Sequence, residues 1–183
     1  MPENRRLLLH ICCAPCGGGC VDRPEMGTGD DREVTLFYSN SNLNSQAEFD
    51  KRLKEVERLA EIYHLPLIVD PYDHEAWLQA VAGLENEPEC GARCRKCFEF
   101  NLKRSAEMAS GGAFATTLTV SPRKSSKVIF ETGSRWENFE PRDFKKKNGY
   151  LTGRNIALKY GFYRQNYCGC VFSMRGIQEN KED

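Results

Sequence analysis

Nine cysteines occur in a chain of 183 residues, and most of them come in tight groups. "CCAPC" supplies Cys12, Cys13 and Cys16, "CRKC" supplies Cys94 and Cys97, and "CGC" supplies Cys168 and Cys170. One such group is a weak signal; three, far apart in sequence, imply convergence on one site. Four thiolates suit tetrahedral zinc or an iron–sulfur cluster. Pure thiol redox chemistry is the third possibility, because a C-x-C disulfide closes a small strained ring of the labile, redox-active kind. The odd count rules out complete pairing within one chain. Cys20 and Cys90 stand apart and read as loop thiols, Cys90 lying four residues before Cys94. His10, just before the vicinal pair, reads either as a partner behind a metal ligand or as a satisfied buried histidine. His64 and His74 read as surface helix positions.

Four short apolar runs bounded by turn residues predict strands covered on both faces: "RLLLHICC", "EVTLFYSN", "LPLIVDPY" and "AFATTLTVSP". Between the second and third, Phe49, Leu53, Val56, Ala60 and Tyr63 recur at helical spacing, with Ser45 and Glu48 as a capping box. That stripe reads as a helix packing on the sheet. A second helix follows Asp73 and carries Trp77, Leu78 and Val81. A third runs from about Arg95 to Ser110 and stops at Gly111-Gly112. This alternation predicts an α/β fold, a Rossmann-like (HUP-type) parallel sheet flanked by helices. Such sheets carry their sites beyond the strand C-terminal ends, which is where Cys12 and Cys13 fall. The expected organisation is a single catalytic domain over 1–183, with a core of about 6–175, a flexible insertion at 17–32 and a disordered tail at 176–183.

Hydrophobic residues make up 40% and charged residues 28% of the chain, ordinary for a globular protein. No apolar run approaches the roughly 18 residues of a membrane span, so neither a membrane partner nor a secretory leader is expected. A cytoplasmic, reducing setting follows, and it favours metal or redox work for the cysteines over structural disulfides. The formal net charge is zero, but its distribution is uneven. Residues 1–120 hold 13 basic and 19 acidic side chains, whereas residues 121–164 hold 11 basic and 4 acidic. That basic segment suits a localised polyanion, or else a solvated face.

The motifs "HICCAPC", "FYSNSN" with "EFDKR", "GARCRKCFEFNL", "TTLTVSPRKS", "DFKKKNGY" and "YGFYRQNYCGCVFS" resemble the QueH-type epoxyqueuosine reductases over about Leu7 to Ser173. The resemblance implies the last step of queuosine synthesis, in which epoxyqueuosine at the wobble position of tRNAs with GUN anticodons loses its epoxide oxygen. Those are the tRNAs for tyrosine, histidine, aspartate and asparagine. It implies a four-iron, four-sulfur cluster on Cys12, Cys13, Cys94 and Cys97, no cobalamin, and an unidentified electron donor. It makes Cys168 and Cys170 a redox-active pair or ligands of a second metal, iron or zinc, which Cys16 could also hold. Two departures stand out: "SNSN" replaces an N-P-N-like turn while keeping Asn40 and Asn42, and Cys90 has no counterpart in the family pattern. "CCAPC" also lacks the phosphate-cradling glycines of related ATP-using folds, which argues against ATP.

Removing the epoxide oxygen as water takes two electrons and two protons, so a proton donor is needed; Asp143, Tyr163 and Tyr167 are candidates. For the tRNA, Arg123, Lys124, Lys127, Lys145, Lys146 and Lys147 are candidate phosphate contacts. Asn40, Asn42, Arg164, Gln165 and Asn166 are candidates for hydrogen bonds to a splayed nucleotide, and Phe144 or Tyr150 for stacking on it. The competing reading is a zinc-binding RNA-binding module without redox catalysis.

Overall fold

The computed structural model describes residues 5–21, 23–29 and 31–174. Four strands, β1 (Arg6–Ile11), β2 (Glu33–Tyr38), β3 (Leu67–Val69) and β4 (Ala113–Thr116), form one parallel sheet in the order β3-β2-β1-β4. Leu9 in β1 lies between Leu36 of β2 and Ala115 of β4. Helices flank the sheet: α1 (Ala14–Gly18), α2 (Gln46–Ile62), α3 (His74–Ala80), α4 (Ala92–Ala109), α5 (Ser126–Gly133) and α6 (Gly149–Tyr160). The expected α/β architecture, a parallel sheet flanked by helices, is therefore present.

The alternation of β1 explains its continuous apolar run. Leu7, Leu9 and Ile11 pack on one face with α2 residues Phe49, Val56 and Leu59. Leu8 and Cys12 pack on the other with Phe98 and Leu102 of α4 and Ile129 of α5. Because β1 has β2 on one side and β4 on the other, strand order reverses beside it. The crevice at the C-terminal ends of β1 and β4 is the switch point where such sheets hold ligands.

Three expectations about the elements need correction. The third strand is not covered on both faces: β3 pairs only with β2, at an edge, and Ile68 and Val69 are exposed. The fourth strand stops at Thr116 and passes into a 3-10 turn, Thr117–Val120, because the Thr116 hydroxyl accepts from the Leu118 amide and turns the chain. The stretch 17–32, expected to be a flexible insertion, is anchored on the core at Gly17, Cys20, Arg23 and Thr28, with Pro24, Glu25 and Asp31 exposed. Gly17 sits so close to the core that a Cβ would meet Ile11 Cδ1 at 2.3 Å and Leu59 Cδ2 at 2.6 Å. Cys20, expected on a loop, is fully buried there, and Arg23 donates to the carbonyls of Gly19, Phe144, Lys146 and Lys147. The tail at 176–183 lies outside the described residues. Among the described residues no helix is long and apolar enough to cross a membrane.

Candidate functional site

The three cysteine groups meet in one cavity of about 530 Å³. β1 delivers the first group: the strand ends at Ile11, Cys12 follows, and Cys13 caps α1, its sulfur accepting from the Cys16 amide at 3.5 Å. Turning at once into α1 brings the sulfurs of Cys12, Cys13 and Cys16 within 4.8 Å of one another. Pro15 near the start of this helix favours the turn. Helix α4 delivers the second group, Cys94 and Cys97 lying one turn apart in its first two turns. The third group comes from the segment after α6, in which Cys168 and Cys170 line the same cavity. Cys94 and Cys97 face the space but lie outside the tight triad of Cys12, Cys13 and Cys16.

Polar groups surround these sulfurs. The Cys90 amide lies 3.2 Å from Cys94 Sγ, Asn101 Nδ2 lies 3.7 Å from Cys97 Sγ, and the Thr117 hydroxyl lies 3.7 Å from Cys12 Sγ. Hydrogen bonds to sulfur favour thiolates and tune any metal they bind. Cys13 and Cys16 hydrogen-bond to Cys12 and hold its thiol well below the ordinary value; through the same bonds Cys13 is pushed up to about 12 and Cys16 upward. Burial pushes Cys97 up to about 12 and Cys94 upward. In the third group the bond from Cys168 brings Cys170 down to about 6. The buried sulfurs therefore share few negative charges until a cation joins them.

Lys124 is a cation that the chain itself places there, beside the arginines of the wall. Burial alone would lower its pKa, but the sulfurs of Cys168, Cys12, Cys16 and Cys13 outweigh that and raise it, so the ammonium stays charged. Lys145 holds the loop that carries it, donating from Nζ to the carbonyls of Ser121 and Lys124. Lys145 itself and the exposed Lys146 do not line the cavity, whereas Arg123, Arg164, Gln165 and Asn166 do. Asn40 and Asn42 also reach the wall, Asn40 fastening the carbonyl of Cys12 at 2.9 Å.

Other expected residues lie elsewhere. Asp143 is off the cavity, accepting from Ser126 Oγ at 2.9 Å and from the Lys145 amide. Tyr163 is also off it, donating to Glu48 beneath Lys51. Tyr167 does line the cavity. Phe144 is fully buried in the core and offers no stacking face, whereas Tyr150 is half exposed at the rim. His10 is a satisfied buried histidine, bonded to Thr116 Oγ1 at 2.8 Å and the Ser39 carbonyl at 3.0 Å; burial lowers its pKa. His74 is half-buried, its Nδ1 2.9 Å from the Ser41 carbonyl. Three wall residues have no task assigned from the sequence: Trp77 looks like helix filler, Asn101 lies inside "GARCRKCFEFNL", and Arg52 ends "EFDKR" beside the helical stripe read as packing. A cation between Phe49 and Val56 on that stripe was the available clue.

A family model for the epoxyqueuosine reductase QueH matches residues 7–176. The chain belongs to the QueH epoxyqueuosine reductase family. It is similar to the epoxyqueuosine reductase QueH of Acinetobacter baylyi, with 34% identity over 96% of this chain and 84% of that protein. The QueH protein of Thermotoga maritima is 32% identical over 92% of this chain and 90% of its own length. That of Streptococcus pyogenes serotype M1 is 32% identical, covering 93% and 72% respectively. QueH membership places the chain among the oxidoreductases, and every cysteine of its three grouped motifs falls inside the matched span.

Proposed function

We infer that this chain reduces epoxyqueuosine to queuosine at the wobble position of tRNAs with GUN anticodons. The observation that carries this reading is the convergence of all three cysteine groups, with Lys124 among them, on one cavity in a QueH-family chain. The proposed partners are the tRNAs for tyrosine, histidine, aspartate and asparagine, together with an electron donor.

The donor set fits a four-iron, four-sulfur cluster. Cys12, Cys13, Cys94 and Cys97 are all on the cavity, and amide and carboxamide hydrogens already point at sulfurs of that set. These four residues would hold the cluster, whose chemistry is to supply electrons one at a time. The close triad of Cys12, Cys13 and Cys16 supports a place for Cys16 beside a single iron or zinc ion, with Cys168 or Cys170 as further ligands. Alternatively, Cys168 and Cys170 act as a dithiol.

The protein's own residues then have separable tasks. Lys124 holds a positive charge where negative charge gathers on the sulfurs and on the departing oxygen. Arg164, Gln165, Asn166 and Asn42 offer hydrogen bonds to the nucleotide, and Tyr150 offers a stacking face. Arg123 at the rim contacts phosphate, with Lys146 acting farther out, while Lys145 holds the loop that carries Arg123. Tyr167 becomes the favoured proton donor, since its hydroxyl accepts from Asn44 Nδ2 at 2.7 Å and is free to donate, while Asp143 and Tyr163 lie off the cavity.

An anaerobic assay on tRNA carrying epoxyqueuosine, with nucleosides resolved by mass spectrometry, tests the reading. Queuosine should form with iron-loaded protein and not with Cys12→Ser. A colourless, zinc-only protein that binds RNA without converting it would establish the competing RNA-binding module instead.

A further inference from the structure

The turn that carries Cys168 and Cys170 is fastened from beneath by helix α2. Arg52 is 3% exposed, and its Nε pairs with Glu48 Oε1 at 2.7 Å. That contact fixes the plane of the guanidinium, and Nη1 then donates to the Cys168 carbonyl at 3.2 Å. Asn44, just before the helix, holds the next carbonyl, that of Gly169, from its backbone amide at 2.9 Å and from Nδ2 at 3.1 Å. The glycine between the cysteines answers to this arrangement. Its φ is +119°, and a Cβ there would meet Arg52 Nη2 at 2.7 Å and Leu43 Cδ2 at 2.4 Å. Arg52 Nη2 itself is buried without a partner under that glycine.

We propose that Arg52, aligned by Glu48 and assisted by Asn44, is a positioning residue that holds the Cys168-Gly169-Cys170 turn in its dithiol form. A disulfide between Cys168 and Cys170 closes a ring that contains two peptide units, and these are the units whose carbonyls Arg52 and Asn44 hold. Pulling the sulfurs to bonding distance turns both units and strains or breaks the clamp. The clamp therefore stabilises the open pair and makes it harder to oxidise. With glutathione disulfide as oxidant, one S–S bond forms in the chain and one breaks in glutathione. The two thiol hydrogens end on two glutathione thiols. The inference does not depend on epoxyqueuosine being the substrate, because this equilibrium is read without tRNA.

The test equilibrates the full chain, purified anaerobically, in reduced and oxidised glutathione at graded ratios. Alkylation and mass spectrometry then read the peptide 165–175, which contains both cysteines, and iron and zinc are measured in every sample. Arg52→Lys keeps the charge but loses the fork, and should shift the constant about tenfold toward disulfide, the scale of one charge-assisted hydrogen bond. Asn44→Ala should shift it the same way by less, since the backbone bond survives. Arg58→Lys is the control: Arg58 donates from the same helix to the Tyr160 carbonyl at 2.8 Å, away from this turn, and should leave the constant unchanged. Constants equal to the parent's in both Arg52→Lys and Asn44→Ala would overturn the proposal. So would a shift toward dithiol, an equal shift in Arg58→Lys, or a parent pair that forms no disulfide at any ratio.

Discussion

Lys124 is a half-buried ammonium whose neighbours are sulfurs, and most of its value depends on those sulfurs being anionic. Replacing it by Met should lower kcat for epoxide removal by tenfold or more, since one preorganised charge at a reacting centre contributes on the order of 3 kcal/mol. Thermal stability should fall as well, because the sulfurs outweigh the cost of burying the cation and would lose their compensating charge. A calorimetric scan beside the kinetic assay separates the two effects; equal kcat in the variant would remove Lys124 from the chemistry. Gly169 gives a second expectation at this scale. Gly169→Ala adds a Cβ to a backbone with φ of +119° and drives it into Arg52, so the Cys168–Cys170 turn should lose its register. Mass-spectrometric mapping should find Cys168 and Cys170 alkylated faster in that variant, and unchanged rates would show that the turn tolerates a side chain. Most of the residues discussed at this scale are legible in the sequence, because cysteines in tight groups have few other uses in a chain of this kind. The roles of Arg52 and Trp77 are not, since "EFDKR" contains Arg52 without assigning it a task, Trp77 reads as a helix residue, and only the fold shows what they face.

Among the elements, the vicinal cysteines work because β1 ends and α1 begins with no loop between them. The capping box expected at α2 is half realised: Ser45 Oγ accepts from the Glu48 amide, but the Glu48 carboxylate turns away to Arg52. That choice spends a capping group on holding the cysteine turn. The stretch 17–32 escaped sequence reading because glycines signal flexibility in isolation, whereas here the absent Cβ of Gly17 allows α1 to sit against Ile11 and Leu59. Part of its anchorage is electrostatic. Arg142 donates to the Met26 carbonyl and, with Arg32, to Glu140. Burial alone would raise the Glu140 pKa, but Arg142 and Arg32 outweigh it and hold the carboxyl below its ordinary 4.5. The stability this confers is present above pH 4.5 and is lost as pH falls through the lower folded value. Glu140→Gln should therefore cost about 1 kcal/mol at pH 7 after allowing for solvent screening. That gap should narrow in denaturant titrations below pH 4.5 and close once the pH has passed the lower folded value, and a gap that persists there would assign the loss to packing.

At the scale of the whole molecule, the charge asymmetry along the chain is only partly an asymmetry of the site. Arg123, Lys124 and Arg164 reach the cavity, while Lys145 serves its loop, so the charge count alone overstates the number of substrate contacts. The parallel sheet and its switch point were readable because alternation of strand and helix admits few topologies. The tRNA surface was not, because lysines on a solvated face and lysines on phosphate have the same sequence. Affinity for tRNA should fall steeply with salt, with a log–log slope of at least about 2, and Arg123→Ala should reduce that slope by about one unit. A slope near zero in fluorescence anisotropy would place recognition in the cavity alone.

We propose that Cys12, Cys13, Cys94 and Cys97 jointly hold the electron-supplying centre of an epoxyqueuosine reductase. The most direct measurement of this claim is the iron and acid-labile sulfide content of anaerobically purified protein, taken with its conversion of epoxyqueuosine in tRNA. About four iron and four sulfide per chain are predicted, with queuosine formed under reducing conditions and both properties lost in Cys94→Ser. Full conversion by iron-free protein, or by Cys94→Ser, would contradict it.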